Sequence, residues 1–282
     1  MSRLLDGKLV RDQILAELRP RIERLARRPG LAVVLVGDDP ASGIYVRNKV
    51  KACEDLGIYS EKITPSASIS TDDLLGIVEG LNQRSEIDGI LVQMPLPAQV
   101  DSRRVLLSVS PDKDVDGFHP LNVGNLVSGN PGLRSCTPAG IIELLKRYQI
   151  PIAGAHAVVV GRSDIVGKPM ALLLLHENAT VTICHSKTTG LAEECRRADI
   201  LVAAIGKAAL IGREFLKPGG TVIDVGMNRP SSGKGLVGDV DPEAAKEIAG
   251  AYTPVPGGVG PLTIAMLMSN TVKAAELHQS LR

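Results

Sequence analysis

Apolar runs alternate along this chain with amphipathic segments whose polar positions recur at helical spacing. Leu31 to Val36 and Gly89 to Gln93 read as buried strands, and helices are predicted from about Ser42 to Leu56 and around Pro138 to Tyr148. That alternation implies parallel β-structure with helices on its faces. After Tyr148 the pattern restarts in shorter units: strand 155–160, helix 169–178, strand 180–184, helix 189–197, strand 199–205 and strand 221–225. This second half reads as a doubly wound dinucleotide-binding domain entered at its first strand. The expected fold is α/β in two domains: an N-terminal α/β domain over residues 1–138, a Rossmann-like domain over 139–261, and a tail helix, 262–282, that completes the first.

Two stretches stand out against this frame. Ser110 to Pro138 is polar and rich in glycine and proline, too long for a plain connector, and long structured loops are where sites are built. Gly161-Arg162-Ser163-Asp164-Ile165-Val166-Gly167-Lys168-Pro169 follows a strand and precedes a helix. Such a turn points backbone N–H groups and the positive end of the helix dipole at one spot, where a phosphate can sit. Pro169 suits a first helical turn. The glycines at 161 and 167 are not spaced as G-x-G-x-x-G, so an ordinary βα turn remains the alternative. An NAD site expects an acidic residue about 20 positions beyond the first glycine, at the end of the second strand. Here that strand ends Cys184-His185-Ser186-Lys187, without an acid, which favours a 2′-phosphate and therefore NADP over NAD. Arg162 and Ser186 are the residues assigned to that phosphate; His185 and Ser186 as a helix N-cap pair is the structural alternative.

Composition narrows the function classes. With 44% hydrophobic and 22% charged residues in 282, the chain is expected to be globular, ordered and long enough for two cores. A net charge of +1 leaves no electrostatic footprint for nucleic acid or an acidic membrane surface. The basic cluster Arg19 to Arg28 then reads as the solvated face of an amphipathic helix. Cys53, Cys136, Cys184 and Cys195 are widely spaced, and the five histidines form no H-x-x-x-H, so neither a disulfide framework nor a metal site is expected. Reduced thiols in the cytoplasm are the default. No signal-peptide core opens the chain, and no apolar run approaches the ~20 residues that span a bilayer.

In the first half, Tyr45, Lys49, Ala52, Cys53 and Leu56 fall within about a quarter turn of one helix at 100° per residue. Lys49 thus sits in an apolar stripe. It either snorkels out along its stem or is partly desolvated, and a desolvated lysine serves as an acid or base near neutral pH. Y-x-x-x-K also occurs in short-chain dehydrogenases, but there it follows the nucleotide glycines, whereas Tyr45 precedes them by more than a hundred residues. Asp114 and Asp116 lack the remaining oxygen ligands of a calcium loop. A lone aspartate bonding an N–H-rich heterocycle, or an Asx-turn at Asp116-Gly117, is the pair of readings left. Gln93 ends a buried strand at its carboxyl edge, where ligands of open α/β sheets bind; a capped strand end is the alternative.

Together these segments resemble the bifunctional methylenetetrahydrofolate dehydrogenase/methenyltetrahydrofolate cyclohydrolase family. The resemblance is carried, in order, by Tyr45–Lys49, Asp88–Pro97, Asp112–Phe118, Cys136–Pro138, Gly161–Pro169 and Pro254–Thr263. It implies an interdomain cleft with folate on the N-terminal side and NADP on the C-terminal side. By it, Lys49 is the central acid/base, oriented by Tyr45 and tuned by Gln93, and Asp116 holds the pterin ring. Gly161, Arg162, Ser163, Ser186 and Met227 line the cofactor. Gly257, Gly258, Gly260, Pro261 and Leu262 let backbone approach the folate closely. It also implies a homodimer. A dehydrogenase without the hydrolytic step, an NADP-linked reductase of another small anionic metabolite, and a non-catalytic nucleotide-binding module are the alternatives. A pure binding module has no need of a lysine in that stripe.

Overall fold

The computed structural model describes residues 2–229 and 235–280. In chain order its elements are β1 (Arg3–Leu4), α1 (Gly7–Glu23), β2 (Gly30–Val34), α2 (Pro40–Leu56), β3 (Tyr59–Ile63), α3 (Thr71–Gln83) and β4 (Gly89–Val92). There follow α4 (Ser102–Ser108), α5 (Pro120–Val127), α6 (Cys136–Arg147), β5 (His156–Val160), α7 (Gly167–His176), β6 (Thr180–Cys184), α8 (Leu191–Arg196) and β7 (Ile200–Ala203). The chain ends with β8 (Thr221–Asp224), α9 (Pro242–Ile248), β9 (Ala251–Tyr252) and α10 (Val259–Ser280). By its contacts the chain divides into two compact units: residues 13–136 with 264–282, and residues 1–12 with 137–263.

The first unit is built on a three-stranded parallel sheet in the order β3-β2-β4. β2 and β4 are buried on both faces, as parallel strands covered by helices must be. Ala32, Val34, Ile90 and Val92 pack on one face against Leu74, Val78 and Leu81 of α3 and Val105 of α4. The Cys53 and Met268 sulfurs, 3.6 Å apart, bring α2 and α10 together within the same unit. The helix foreseen from Ser42 begins at Pro40, because Asp39 caps it by accepting from the Ser42 N–H at 2.7 Å and proline tolerates the first turn. Ser70 caps α3 in the same way, accepting from the Asp73 N–H at 3.1 Å.

The basic cluster departs from expectation. α1 stops at Glu23, and Arg27 is no solvated helix residue: its guanidinium makes two 2.7 Å bonds to the carboxylate of the fully buried Asp88. A buried carboxylate must be paired, and it draws the nearest flexible cation to it. The polar stretch after Ser110 is also more ordered than a loop, since it contains α5, capped by His119 Nδ1 accepting from the Leu121 N–H at 3.1 Å.

The second unit carries a six-stranded parallel sheet, β1-β9-β8-β7-β5-β6. Its core gathers Val158, Val160, Leu201, Ala203 and Val222 from the strands with Cys195 of α8 and Ala244 and Ala245 of α9. The strand order reverses between β5 and β7, the crevice where doubly wound folds take ligands at the carboxyl ends of their strands. Gly161 follows β5 at that point.

Candidate active site

In the first unit, Lys49 lies half-buried near the middle of the stripe that runs through Ser42, Val46, Cys53 and Leu56 of α2. Tyr45, one turn earlier, is 37% exposed. The Lys49 ammonium donates to Gln93 Oε1 at 3.0 Å, and Gln93 Nε2 donates to the Met94 carbonyl at 2.7 Å. That second bond fixes which end of the amide faces the lysine. Gln93 itself is held where β4 runs out, its backbone N–H donating to Val34 O of β2 at 2.8 Å.

Asp116 reaches the same place by a different route. Residues 113 and 114 lie along β4: the Ile90 N–H donates to Lys113 O at 2.8 Å, and Ile90 and Asp114 form an isolated parallel bridge. The buried Lys113 ammonium is spent on the carboxyl end of α3, donating to Asn82 O at 2.7 Å and Arg84 O at 2.8 Å. Asp114 folds the loop, accepting from the His119 N–H at 2.7 Å and Asn122 Nδ2 at 2.9 Å. It is thus a structural residue. Gly117 turns the chain at φ +75°, and a Cβ there would lie 2.4 Å from the Arg134 carbonyl carbon, so only glycine lets the turn close on residues 134 and 135. Among the described residues, no cluster of histidine, cysteine, aspartate and glutamate able to hold a metal is present.

Electrostatics separates the two carboxylates. The Asp116 carboxyl keeps some surface open while protein packs densely round it, and burial pushes its pKa up to about 6, with the Lys49 charge pulling down and Asp114 adding to the rise. Burial likewise raises the Cys136 thiol well above its ordinary value, next to Asp116 and Lys49. That thiol is a donor, its S–H bonding Val115 O at 3.2 Å, and no nucleophile. Lys49, Gln93 and Asp116 therefore belong to one neighbourhood. Two neighbours are not singled out by the sequence: Cys136, present only as part of a motif, and Asn270 of α10, which is 5% exposed between Ser269 and Thr271. A buried amide must find partners, and that was the available signal.

The second unit presents the nucleotide turn. Gly161, at φ +134°, passes so close to β7 that a Cβ would stand 2.2 Å from the Ala204 carbonyl oxygen. The helix start is not open in the way a strand–turn–helix pattern suggests. Ser163 Oγ accepts from the N–H groups of Val166 and Gly167 at 3.2 Å each, Ser163 O accepts from Lys168 N–H at 3.1 Å, and Pro169 has none to offer. Those three N–H groups are satisfied within the turn. What it can offer an anion is the exposed Arg162 guanidinium, the remaining hydroxyl hydrogen of Ser163 and the dipole of α7.

Ser186 is exposed two residues past β6. It caps no helix: α8 starts at Leu191 after Gly190, while the His185 N–H donates to Thr188 Oγ1 at 2.9 Å to form a separate turn. Met227, 47% exposed, follows β8. Beneath it lies a carboxylate pair the sequence did not reveal. The buried Asp239 accepts from the N–H groups of Ile205, Gly206 and Lys207 at 2.6–2.9 Å and from Asn228 Nδ2 at 2.9 Å. Asp224 accepts from Gly226, Asp239 and Val240 N–H at 2.8–3.0 Å, and burial lifts its pKa to about 6. The pair fixes the loops after β7 and β8. In the glycine-rich run, the Gly7 N–H donates to Gly257 O at 3.0 Å, Gly258 N–H donates to Pro254 O at 2.8 Å, and Leu262 is fully buried against Gly140 of α6. Gly260 and Pro261 begin α10, and Thr137 and Thr263 share a hydroxyl bond at 2.9 Å.

Comparison with known proteins adds an independent line. Residues 5–116 match the family model described as "Tetrahydrofolate dehydrogenase/cyclohydrolase, catalytic domain", and residues 135–279 match "Tetrahydrofolate dehydrogenase/cyclohydrolase, NAD(P)-binding domain". The bifunctional protein FolD of Solibacter usitatus is 66% identical, with 98% of each chain covered. Among solved structures, the bifunctional FolD methylenetetrahydrofolate dehydrogenase/cyclohydrolase of Campylobacter jejuni superposes with a TM-score of 0.95 at 46% identity, covering 98% of this chain and 99% of that one. The Trypanosoma brucei N5,N10-methylenetetrahydrofolate dehydrogenase-cyclohydrolase, solved with NADP cofactor and an inhibitor, gives 0.93 at 37% identity, covering 100% and 99%.

Proposed function

The chain belongs to the tetrahydrofolate dehydrogenase/cyclohydrolase family, and from that premise we propose how its residues divide the work. It oxidises 5,10-methylenetetrahydrofolate to 5,10-methenyltetrahydrofolate with NADP and hydrolyses the product to 10-formyltetrahydrofolate. Neither the dehydrogenase-only reading nor the binding-module reading has an observation in its favour.

NADP, when bound, supplies the hydride acceptor for the oxidation. Arg162, Ser163 and Ser186 would hold its phosphates, with Gly161 and Met227 against it. The fit rests on the absence of any carboxylate at Cys184-His185-Ser186-Lys187, which leaves room for a 2′-phosphate, and on the exposed Arg162 at the switch point.

The folate-side reading rests on one observation above all: the Lys49 ammonium bonded to Gln93 Oε1 in a half-buried stripe next to Asp116. Gln93 holds the ammonium in place as an uncharged acceptor and so orients Lys49. Hydration of the methenyl carbon needs a proton taken from water, and ring opening needs one returned to nitrogen. A lysine that passes through its neutral form does both. Tyr45, on the same face one turn away, orients Lys49 and offers the aromatic surface against which a folate ring packs. Asp116, ionised above about 6, accepts from the N–H groups of the pterin. Backbone of the 257–262 run completes the folate contacts. The enzyme is further read as a cytoplasmic homodimer; its four cysteines, all buried and free, agree with a reducing compartment.

The test is an absorbance assay in two parts. With 5,10-methylenetetrahydrofolate and NADP the protein is expected to form NADPH, and with methenyl substrate alone it is expected to discharge the methenyl absorbance. NADPH without methenyl loss would leave a dehydrogenase only, and neither signal would remove the reading.

A further inference from the structure

The peptide bond that leads into Asp116 is held by a residue of α10. Asn270 Nδ2 donates one hydrogen to Val115 O and the other to Arg134 O, both at 2.8 Å. The first acceptor belongs to the peptide bond that leads into Asp116. The second belongs to the segment on which Gly117, immediately after Asp116, closes without room for a Cβ. One amide therefore spans both walls of the turn. Its sulfur neighbour, Cys136 Sγ, lies 3.5 Å from Nδ2 and bonds the same Val115 oxygen.

Nothing in α10 itself calls for an asparagine at this point. The surrounding turns bury Leu267, Met268, Val272, Ala274 and Ala275, and a leucine or alanine would favour the helix more and carry no desolvation cost. The amide is compensated chiefly by the two carbonyls, which lie 155 and 136 residues earlier in the chain. Lys273, three residues on, donates to Gly132 O at 2.8 Å, so the same helix also holds the approach to that turn.

We propose that Asn270 is a positioning residue for the folate: by tying the peptide that leads into Asp116 to the Arg134 segment on which Gly117 closes, it sets the direction of that carboxyl, while touching no substrate itself. The inference rests on the reading that Asp116 holds the pterin. Four proteins test it: the parent, Asp116→Asn, Asn270→Ala and the double variant, each assayed for dehydrogenase kcat and KM and for NADP affinity by titration. Asn270→Ala is expected to raise the KM for 5,10-methylenetetrahydrofolate roughly tenfold with NADP affinity unchanged, and to add little once Asp116→Asn is present, because the two act through one contact. If Asp116→Asn impairs folate binding while Asn270→Ala leaves it alone, or if the two effects multiply independently, the positioning role is overturned and the reading of Asp116 stands. If Asp116→Asn itself changes nothing, the pterin reading falls and the inference with it. Should Asn270→Ala fold poorly, Asn270→Ser, which keeps a single donor, carries the same comparison, with unchanged NADP affinity as the check that the protein is intact.

Discussion

A single carboxylate at position 186 would change what the end of β6 can bind. Ser186 is exposed there with no acidic neighbour in Cys184-His185-Ser186-Lys187. An aspartate would repel a 2′-phosphate and accept from free ribose hydroxyls. Ser186→Asp is therefore expected to raise the KM for NADP about tenfold or more and to lower that for NAD, read from initial rates with each cofactor; unchanged preference would remove Ser186 from the phosphate site. Residues of this kind are legible because their meaning is local: periodicity alone puts Lys49 in a buried stripe, and a strand end alone suggests Gln93. Asn270 and Asp239 are not legible, because each is defined by backbone groups far along the chain. Asp239 is an extreme case, reading as an unremarkable loop residue although it accepts from three consecutive N–H groups more than thirty residues earlier.

Strands are legible in the sequence where they are buried apolar runs, as with β2, β4, β5, β7 and β8. β1 and β9 are not, being two residues each and given their strand character only by pairing with each other and with β8. β3 escaped as an edge strand with mixed polarity, and α3 despite its Ser70–Asp73 cap. The tail helix α10 is held by more than apolar contact. His278 bonds Asp88 Oδ1 through Nδ1 and Asp112 Oδ2 through Nε2, both at 2.9 Å, while Arg27 faces Asp88 from the other side. Bonding to Asp88 first, and to Asp112, raises the His278 pKa against the opposing effect of burial. A raised folded-state pKa gives stability that is complete below the unfolded value of about 6.5 and is lost as pH rises through the higher folded value. His278→Ala is expected to cost about 1.5–3 kcal/mol at pH 6 and clearly less at pH 9, measured by urea unfolding. Equal loss at both pH values would mean that the imidazolium contributes nothing beyond packing.

On the scale of the whole molecule, two parallel sheets each place a proposed site residue just past the carboxyl end of a strand, Gln93 after β4 and Gly161 after β5. The α/β class and the restart of the pattern after Tyr148 were readable because parallel strands covered by helices leave continuous apolar runs. The basic cluster at 19–28 was misread because charge density says nothing about which arginine finds a buried partner. The openness of the helix start at 167 was overstated because Ser163 consumes the donors that a strand–turn–helix pattern leaves in view. Lys49 is the proposed group that moves the proton. The most direct measurement is the rate of methenyl discharge by Lys49→Met, with NADP affinity measured on the same sample. A loss of at least a hundredfold in hydrolysis is expected, the scale of a missing general acid/base, with NADP bound as in the parent. Hydrolysis at the parent's rate by a protein that lacks this ammonium would contradict that role.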